Sequence, residues 1–413
     1  MEEQNSNKSR NGLFFFLGFL CGALLLMVAC SILIVFLSES RGSKRTRSED
    51  DEQDRQEKLV NEETVEKIEL IENSINEVYY QKDVDTEILR DGLYRGMVDA
   101  LGDPYSVYYT EEEYDEIIES IEGTYSGIGA YLMEGSEYPV ITGTIKGSPA
   151  EKAGITENDL ITAVNGESIS GYDLSSVIAI VRGEEGTSVT LTIRRGNETL
   201  DVTLERRRIE SPTVATEDVQ DGIGYLRISE FDEVTPGQFE EGLSNLKAQG
   251  MKGLILDLRS NTGGSLDAVC DIARQILPEG VIVYTLDRDG ERQDYTCDGK
   301  NAADFPIVVL TNGYTASASE ILSGAIRDYE LGILLGTTTF GKGVVQRIFR
   351  LEDGTALKLT VENYFTPSGY NLNGIGLVPD VELEYDPDIK QKEGIDNQRQ
   401  RAETELRKLM ASR

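Results

Sequence analysis

The chain has 413 residues, 39% of them hydrophobic and 28% charged, enough for two or three domains with a sizeable core. Its formal net charge of −34 argues against nucleic acid or an anionic membrane surface as partner, since both are bound through basic patches. It contains no histidine, which excludes a Ser-His-Asp triad and every histidine-containing zinc site.

Residues 1–11 form a short N-terminal tail. Residues 12–38 (GLFFFLGFLCGALLLMVACSILIVFLS) carry no charge. The run exceeds the roughly 20 apolar residues that span a bilayer as a helix, so it predicts a transmembrane helix. It also exceeds the apolar core of about 7–15 residues in a cleaved signal peptide. Lys8 and Arg10 precede the span, and Arg41, Lys44, Arg45 and Arg47 follow it. Charge alone favours a cytoplasmic C-terminal part, although long domains translocate despite such charges. Cys21 and Cys30 fall inside the span, leaving Cys270 and Cys297 as either one disulfide or two free thiols.

Residues 39–63 are charged and poor in apolar side chains, the composition of a flexible linker. Residues 64–118 show helical spacing: Val65, Ile68, Ile71, Ile75 and Val78 share one face, followed by Leu89, Leu93, Met97 and Leu101. Gly102-Asp103-Pro104 stops the second helix. Over 119–206 the texture changes to short β-branched runs, with strands expected at 140–141, 160–164 and 189–193. Asn165-Gly166 signals a hairpin turn, and a helix is expected near Asp173 to Arg182. Residues 207–385 alternate strands (Leu254 to Leu258, Ile307 to Leu310) with helices (Leu266 to Leu277, Ala318 to Tyr329). That order implies βα units on a largely parallel sheet. Residues 386–413 are expected to form a C-terminal helix, amphipathic from Glu393 to Ala411.

Within 119–206, Gly127-Ile128-Gly129-Ala130, Gly147-Ser148-Pro149-Ala150 and Asp159 to Gly166 together resemble a PDZ domain. A glycine-rich loop can aim backbone N–H groups at a chain-terminal carboxylate, while an open sheet edge accepts the peptide as a further strand. The resemblance places the carboxylate loop at Ser126, Gly127, Ile128, Gly129 and Ala130. Taken singly, each glycine is better explained as a turn.

Two further motifs carry chemistry. Thr315-Ala316-Ser317-Ala318-Ser319-Glu320 follows a buried strand and opens a helix. A serine there is presented to substrate, and the free N–H of Ala318 can donate to an oxyanion; an isolated serine before a helix more often caps it. Gly341-Lys342-Gly343-Val344-Val345-Gln346 offers a lysine in place of the missing imidazole. Burial can lower a lysine pKa from about 10.4 by about 3–5 units, enough to make it a base, while an isolated lysine is usually an exposed cation. Gly341 and Gly343 would let the backbone pass close to the serine. Gln346 is a neighbour of Lys342 in a helix or turn and distant from it in a strand. In Asp257 to Gly264, the adjacent Gly263 and Gly264 can supply a second oxyanion donor, or simply form a turn around Asn261.

From about Val65 onward the chain resembles the carboxy-terminal processing proteases of the tail-specific serine peptidase family. The resemblance implies a crotonase-like α/β protease core with an inserted PDZ domain; with the apolar run and helical spacing above, the chain is expected to be a multidomain α/β protein with an N-terminal transmembrane helix and helical terminal segments. It puts the nucleophile on Ser317, the base on Lys342, the orienting glutamine on Gln346, and the oxyanion donors on Ala318 and on Gly263 or Gly264. Tyr364 to Gly369 and Gly376 to Asp380 match the family's closing strands, and Leu101 to Ser106 its entry segment. Thr262 stands where the family's glycine loop usually has proline, and Tyr370 where arginine is frequent.

These features imply a membrane-anchored serine endopeptidase that cleaves polypeptides at or near their C-terminus, with the PDZ domain recognising the tail. No metal or other cofactor is required. Following the family, the catalytic part lies outside the cytoplasmic membrane on a single-pass anchor. The PDZ domain is expected to gate the site with Arg182 as a contact, and the terminal helices are amphipathic enough for a homodimer. The rivals are a membrane-tethered PDZ adaptor with a silent core, and an acyl-transfer enzyme acting on a small thioester.

Overall fold

The computed structural model describes residues 58–412. The tail at 1–11, the apolar stretch at 12–38 and most of the linker lie outside them. Among the described residues, no helix is long and apolar enough to cross a membrane.

The chain divides into two compact units, Met1–Thr86 and Glu87–Arg413. In the first, the helix Glu62–Val78 is capped by Asn61, whose side chain accepts from the Thr64 N–H at 2.9 Å. Its apolar residues Val65, Ile68 and Ile71 are exposed.

The second unit contains two sheets that share a core, together with an inserted β-rich domain. The larger sheet runs, in spatial order, Val214–Gln220, Ile223–Ile228, Gly253–Asp257, Ile307–Thr311, Gly332–Gly336 and Val381–Glu382. The first pair is antiparallel and the others are parallel, as the alternation of strands and helices implied. Gly253–Asp257 and Ile307–Thr311 are buried at every position. Parallel strands covered on both faces need apolar residues throughout, which explains their unbroken hydrophobic runs. Leu254, Leu256, Val309 and Leu334 face a core containing Phe239, Val269, Leu322 and Ile326 from three helices. Ile255, Val308, Leu310 and Leu335 face the opposite way, against Ala402 and Leu406.

The second sheet is antiparallel and was not foreseen. It joins Val107–Tyr109, Ala356–Phe365, Gly280–Asp287 and Arg292–Cys297, with Val344–Arg350 also on Ala356–Phe365. The nominally helical segment 64–118 thus contributes a strand to this sheet. Two expected helices are also shorter than their periodicity suggested. Leu266–Ala273 stops at Arg274, before Leu277. The C-terminal segment is two helices, Pro387–Glu393 and Asn397–Ser412, broken where Gly394 takes the left-handed conformation.

The β-rich domain leaves and rejoins the core through the paired strands Thr124–Gly127 and Arg207–Glu210. Between them lies a sheet ordered Ala130–Met133, Val140–Thr144, Leu160–Val164, Ser188–Arg195, Glu198–Glu205, with helices Pro149–Lys152 and Leu174–Val181. The expected turn is present: Asn165 and Gly166 have φ of 53° and 83° between antiparallel Val164 and Glu167. Cys270 and Cys297 are buried free thiols.

The C-terminal helix is tied to the sheet by charge as well as packing. Arg259 contacts Asp257 at 2.6 Å and Asp396 at 2.9 Å, and donates to Gln398 at 3.0 Å, all largely shielded from water. Arg259→Ala leaves two buried carboxylates without their cation, with an expected loss of about 3–5 kcal/mol. Urea unfolding followed by circular dichroism checks this.

Candidate active site

Ser317 sits at a sharp turn between the buried strand Ile307–Thr311 and the helix Ala318–Asp328. Its φ is 55° and ψ −117°, a conformation that costs a non-glycine residue about 1–3 kcal/mol and persists only when surrounding contacts impose it. Those contacts can be named. The Ala316 N–H and the Ser319 hydroxyl both donate to the Asn261 carbonyl at 3.0 Å. The Tyr364 hydroxyl donates to the Ser317 carbonyl at 3.1 Å, and the Phe340 N–H donates to the Thr315 carbonyl at 2.9 Å. Ser317 is the N-cap of this helix, and Glu320 at the third helical position closes back on its backbone N–H, as in a capping box.

The strongest constraint on this turn is Glu320, which is fully buried. Its carboxylate accepts from the Ser317 N–H at 2.9 Å, the Thr339 hydroxyl at 2.5 Å, the Gly341 N–H at 2.8 Å and the Lys342 N–H at 2.9 Å. Burial pushes its pKa up, and these donors work against that shift. Glu320 therefore fastens the serine turn directly to the lysine loop. Its spacing from Ser317, S-x-x-E, is a capping-box pattern that sequence could have flagged.

Lys342 precedes the strand Val344–Arg350 and is partly buried. Burial, then the positive charge of Lys358, holds its amine below the usual lysine range; Asp103 and Glu320 pull the other way. Its Nζ lies 4.8 Å from the centroid of the Tyr105 ring. No hydrogen bond joins Lys342 Nζ to Ser317 or to Gln346. Gln346 instead donates to the Thr360 hydroxyl at 3.3 Å, beside a bulge between Val345 and Gln346. The flanking glycines do not serve an approach to the serine. A Cβ on Gly341 would stand 2.7 Å from the Gly376 nitrogen, and one on Gly343 2.7 Å from the Asn373 Cβ. These glycines let the loop lie against Leu372 to Gly376.

The glycine loop touches Ser317. A Cβ on Gly263, whose φ is 108°, would lie 2.7 Å from the Ser317 Cβ and 3.1 Å from the Ala318 nitrogen. The Gly263 N–H is already donated to the Asn261 side chain at 2.9 Å. The N–H groups of Ala318 and Gly264 have no hydrogen-bond partner among the described residues, and Gly264 is exposed. Of the glycine alternatives, Gly264 is the one left with a donor to offer. Thr262 is exposed, so the missing proline changes the rim of the loop rather than its contact with Ser317. Tyr370 donates its hydroxyl to the Gly376 carbonyl at 3.2 Å.

In the β-rich domain, Ser126 and Gly127 end the strand that leads in, opposite Arg208 and Arg207. Ile128 is buried in that domain's core, and Ala130 opens an edge strand. The N–H groups of Ile128 and Gly129 have no partner among the described residues, and the Ser126 hydroxyl oxygen is buried without one. Arg182 caps the helix Leu174–Val181; its guanidinium lies 4.6 Å over the Tyr125 ring and 3.6 Å from Glu119, and touches neither Ser317 nor Lys342.

Residues 222–383 match the model of peptidase family S41, residues 140–195 a PDZ domain, and residues 26–113 the N-terminal domain of the activating protease CtpB. A probable CtpA-like serine protease of Staphylococcus aureus is 39% identical over 321 residues, covering 77% of this chain and 64% of that protein. Its Staphylococcus epidermidis counterpart is 37% identical over 320 residues, covering 77% of this chain and 65% of that protein. The solved photosystem II D1 C-terminal processing protease is 30% identical, with coverage of 78% and 87% and a TM-score of 0.46. Residues 222–383 are thus a peptidase family S41 domain, and residues 140–195 a PDZ domain. The chain spans just under two thirds of the length of the staphylococcal relatives.

In this S41 core, Glu320→Ala removes the acceptor for four donors at once. The expected cost is about 3 kcal/mol of stability, from donors left buried and unpaired. Ser317 should also react about 100-fold more slowly with a serine-directed phosphonate probe, because its turn loses register with the lysine loop. Urea unfolding and probe labelling measure the two effects separately.

Proposed function

We propose that the chain is a membrane-anchored serine endopeptidase that cleaves polypeptides at or near their C-terminus by a Ser-Lys mechanism. The observation that carries this reading is the Ser317 turn, strained at a helix start beside the unpartnered N–H of Ala318, in contact with the glycine loop, and bound through Glu320 to the loop of a partly buried lysine. Neutral Lys342 takes the Ser317 proton as the hydroxyl oxygen attacks the scissile carbonyl. The N–H groups of Ala318 and Gly264 hold the oxyanion, the amine product leaves with the proton from Lys342, and water activated by Lys342 releases the acyl group. For this step the Lys342 side chain turns from Tyr105 toward Ser317.

The PDZ-type loop supports recognition of a substrate tail, because the free N–H groups of Ile128 and Gly129 suit a terminal carboxylate beside an open edge strand. The names of the relatives favour a protease over an adaptor with a silent core. The apolar run at 12–38 supports a single membrane anchor, and the catalytic part is assigned to the extracytoplasmic side by likeness to the family. The exposed Val65, Ile68 and Ile71 support a homodimer through their helix.

The test is cleavage of an unfolded protein ending in apolar residues, with fragments read by mass spectrometry. Ser317→Ala and Lys342→Ala should each lower the rate by more than about a thousand-fold. If tail binding persists with no cleavage by any form, the adaptor reading replaces this one.

The pH profile follows from the direction of the Lys342 shift. The base is the unprotonated amine, so kcat/KM rises as pH increases through the Lys342 pKa. Because burial and Lys358 lower that pKa, the rise should come below the range of an ordinary lysine, near 10.4. Lys358→Gln removes a like charge and should move the rise to higher pH, as read by initial rates across pH 6 to 11.

A further inference from the structure

The entry segment Asp103 to Ser106 lies far from Lys342 in sequence, yet it is built into the lysine's surroundings. The Ser106 hydroxyl donates to Asp103 at 2.6 Å and the Tyr105 N–H donates to the same carboxylate at 3.1 Å. The Thr360 N–H donates to the Ser106 hydroxyl at 3.2 Å, which pins the segment to the strand Ala356–Phe365. The Thr360 hydroxyl in turn accepts from Gln346. So anchored, the segment presents the face of the partly buried Tyr105 ring to the Lys342 ammonium, 4.8 Å from its centroid.

We propose that Tyr105 is a positioning residue of Lys342, holding its ammonium form on the ring face. This rests on Lys342 being the base of the reaction. In its charged form the Lys342 amine rests on the ring's negative face, from which it turns toward Ser317 once the proton is lost. The other charged groups facing Lys342 are Lys358 from the strand, Asp103 from the entry segment and Glu320 from the nucleophile helix. Lys358 disfavours the ammonium, whereas both carboxylates favour it. Tyr105 adds to the favourable side without adding charge, and it does so with a fixed direction of approach.

The experiment compares the full chain with Tyr105→Phe and Tyr105→Leu. The Lys342 titration is followed by NMR of lysine labelled at Cε, the signal being assigned through its loss in Lys342→Ala, and kcat/KM is measured over the same pH range. Loss of the ring removes stabilisation of the ammonium, so in Tyr105→Leu the midpoint should fall by about half a pH unit or more. The rising limb of kcat/KM should move with it. Tyr105→Phe keeps the ring and should stay within about 0.2 unit of the unmodified chain. Tyr105→Trp, with the stronger ring face, should move the midpoint upward. An unmoved midpoint in Tyr105→Leu, or a shift in Tyr105→Phe as large as in Tyr105→Leu, overturns the proposal. If Tyr105→Leu does not fold, an unmoved Tyr105→Trp midpoint overturns it instead. Absence of cleavage by the unmodified chain alongside the expected midpoint shifts would remove the protease reading and leave the Tyr105 contact standing.

Discussion

A carboxylate buried away from water is tolerated only when hydrogen bonds replace its hydration, and Glu320 meets that condition with donors from three places. Two come from the lysine loop, one from Thr339 just before it and one from Ser317. Since none of these donors can be withdrawn without stranding the charge, the nucleophile turn and the lysine loop behave as one body. The unusual backbone of Ser317 depends on this. A positive φ at a serine is maintained by contacts on both sides, and Glu320 holds the N–H while Tyr364 holds the carbonyl.

The two sheets divide the work of placing the site. Adjacent parallel strands Gly253–Asp257 and Ile307–Thr311 end side by side, so the loops that follow them, carrying Gly263 and Ser317, meet. Ligand sites at the carboxyl ends of parallel strands follow from that geometry in general. The antiparallel sheet supplies the other half. One of its strands carries Tyr364 and Thr360, and another continues from Lys342. Because Tyr364 packs in the same core as the helices of the parallel sheet, the two halves keep a fixed separation.

Much of this was legible in the sequence because it rested on local pattern. The buried parallel strands showed as unbroken apolar runs, the Asn165-Gly166 hairpin as a turn dipeptide, and Ser317 as a serine between strand and helix. What stayed hidden depended on contacts across long separations. The antiparallel sheet joins Val107–Tyr109 to Ala356–Phe365, which no periodicity announces. The setting of Gln346 also required the structure, since helix, turn and strand were all open at Lys342 to Gln346, and the strand Val344–Arg350 puts it beside Thr360. The choice between Gly263 and Gly264 also required geometry, since only the structure shows the Gly263 N–H committed to Asn261.

In the proposed Ser-Lys mechanism the base is a group that is normally protonated, and the surroundings of Lys342 set opposing influences on it. Burial and Lys358 favour the free amine, while Asp103 and Glu320 favour the ammonium. Neither extreme would serve. A lysine held fully charged cannot accept the Ser317 proton, and one stripped of all favourable partners cannot keep the proton long enough to pass it to the leaving amine. Glu320 cannot be tuned freely, since its carboxylate is committed to the backbone of the same loop. Adjustment falls instead to Lys358, Asp103 and the Tyr105 ring. They belong to the antiparallel sheet and its entry segment, and each can act on the amine without disturbing the serine turn.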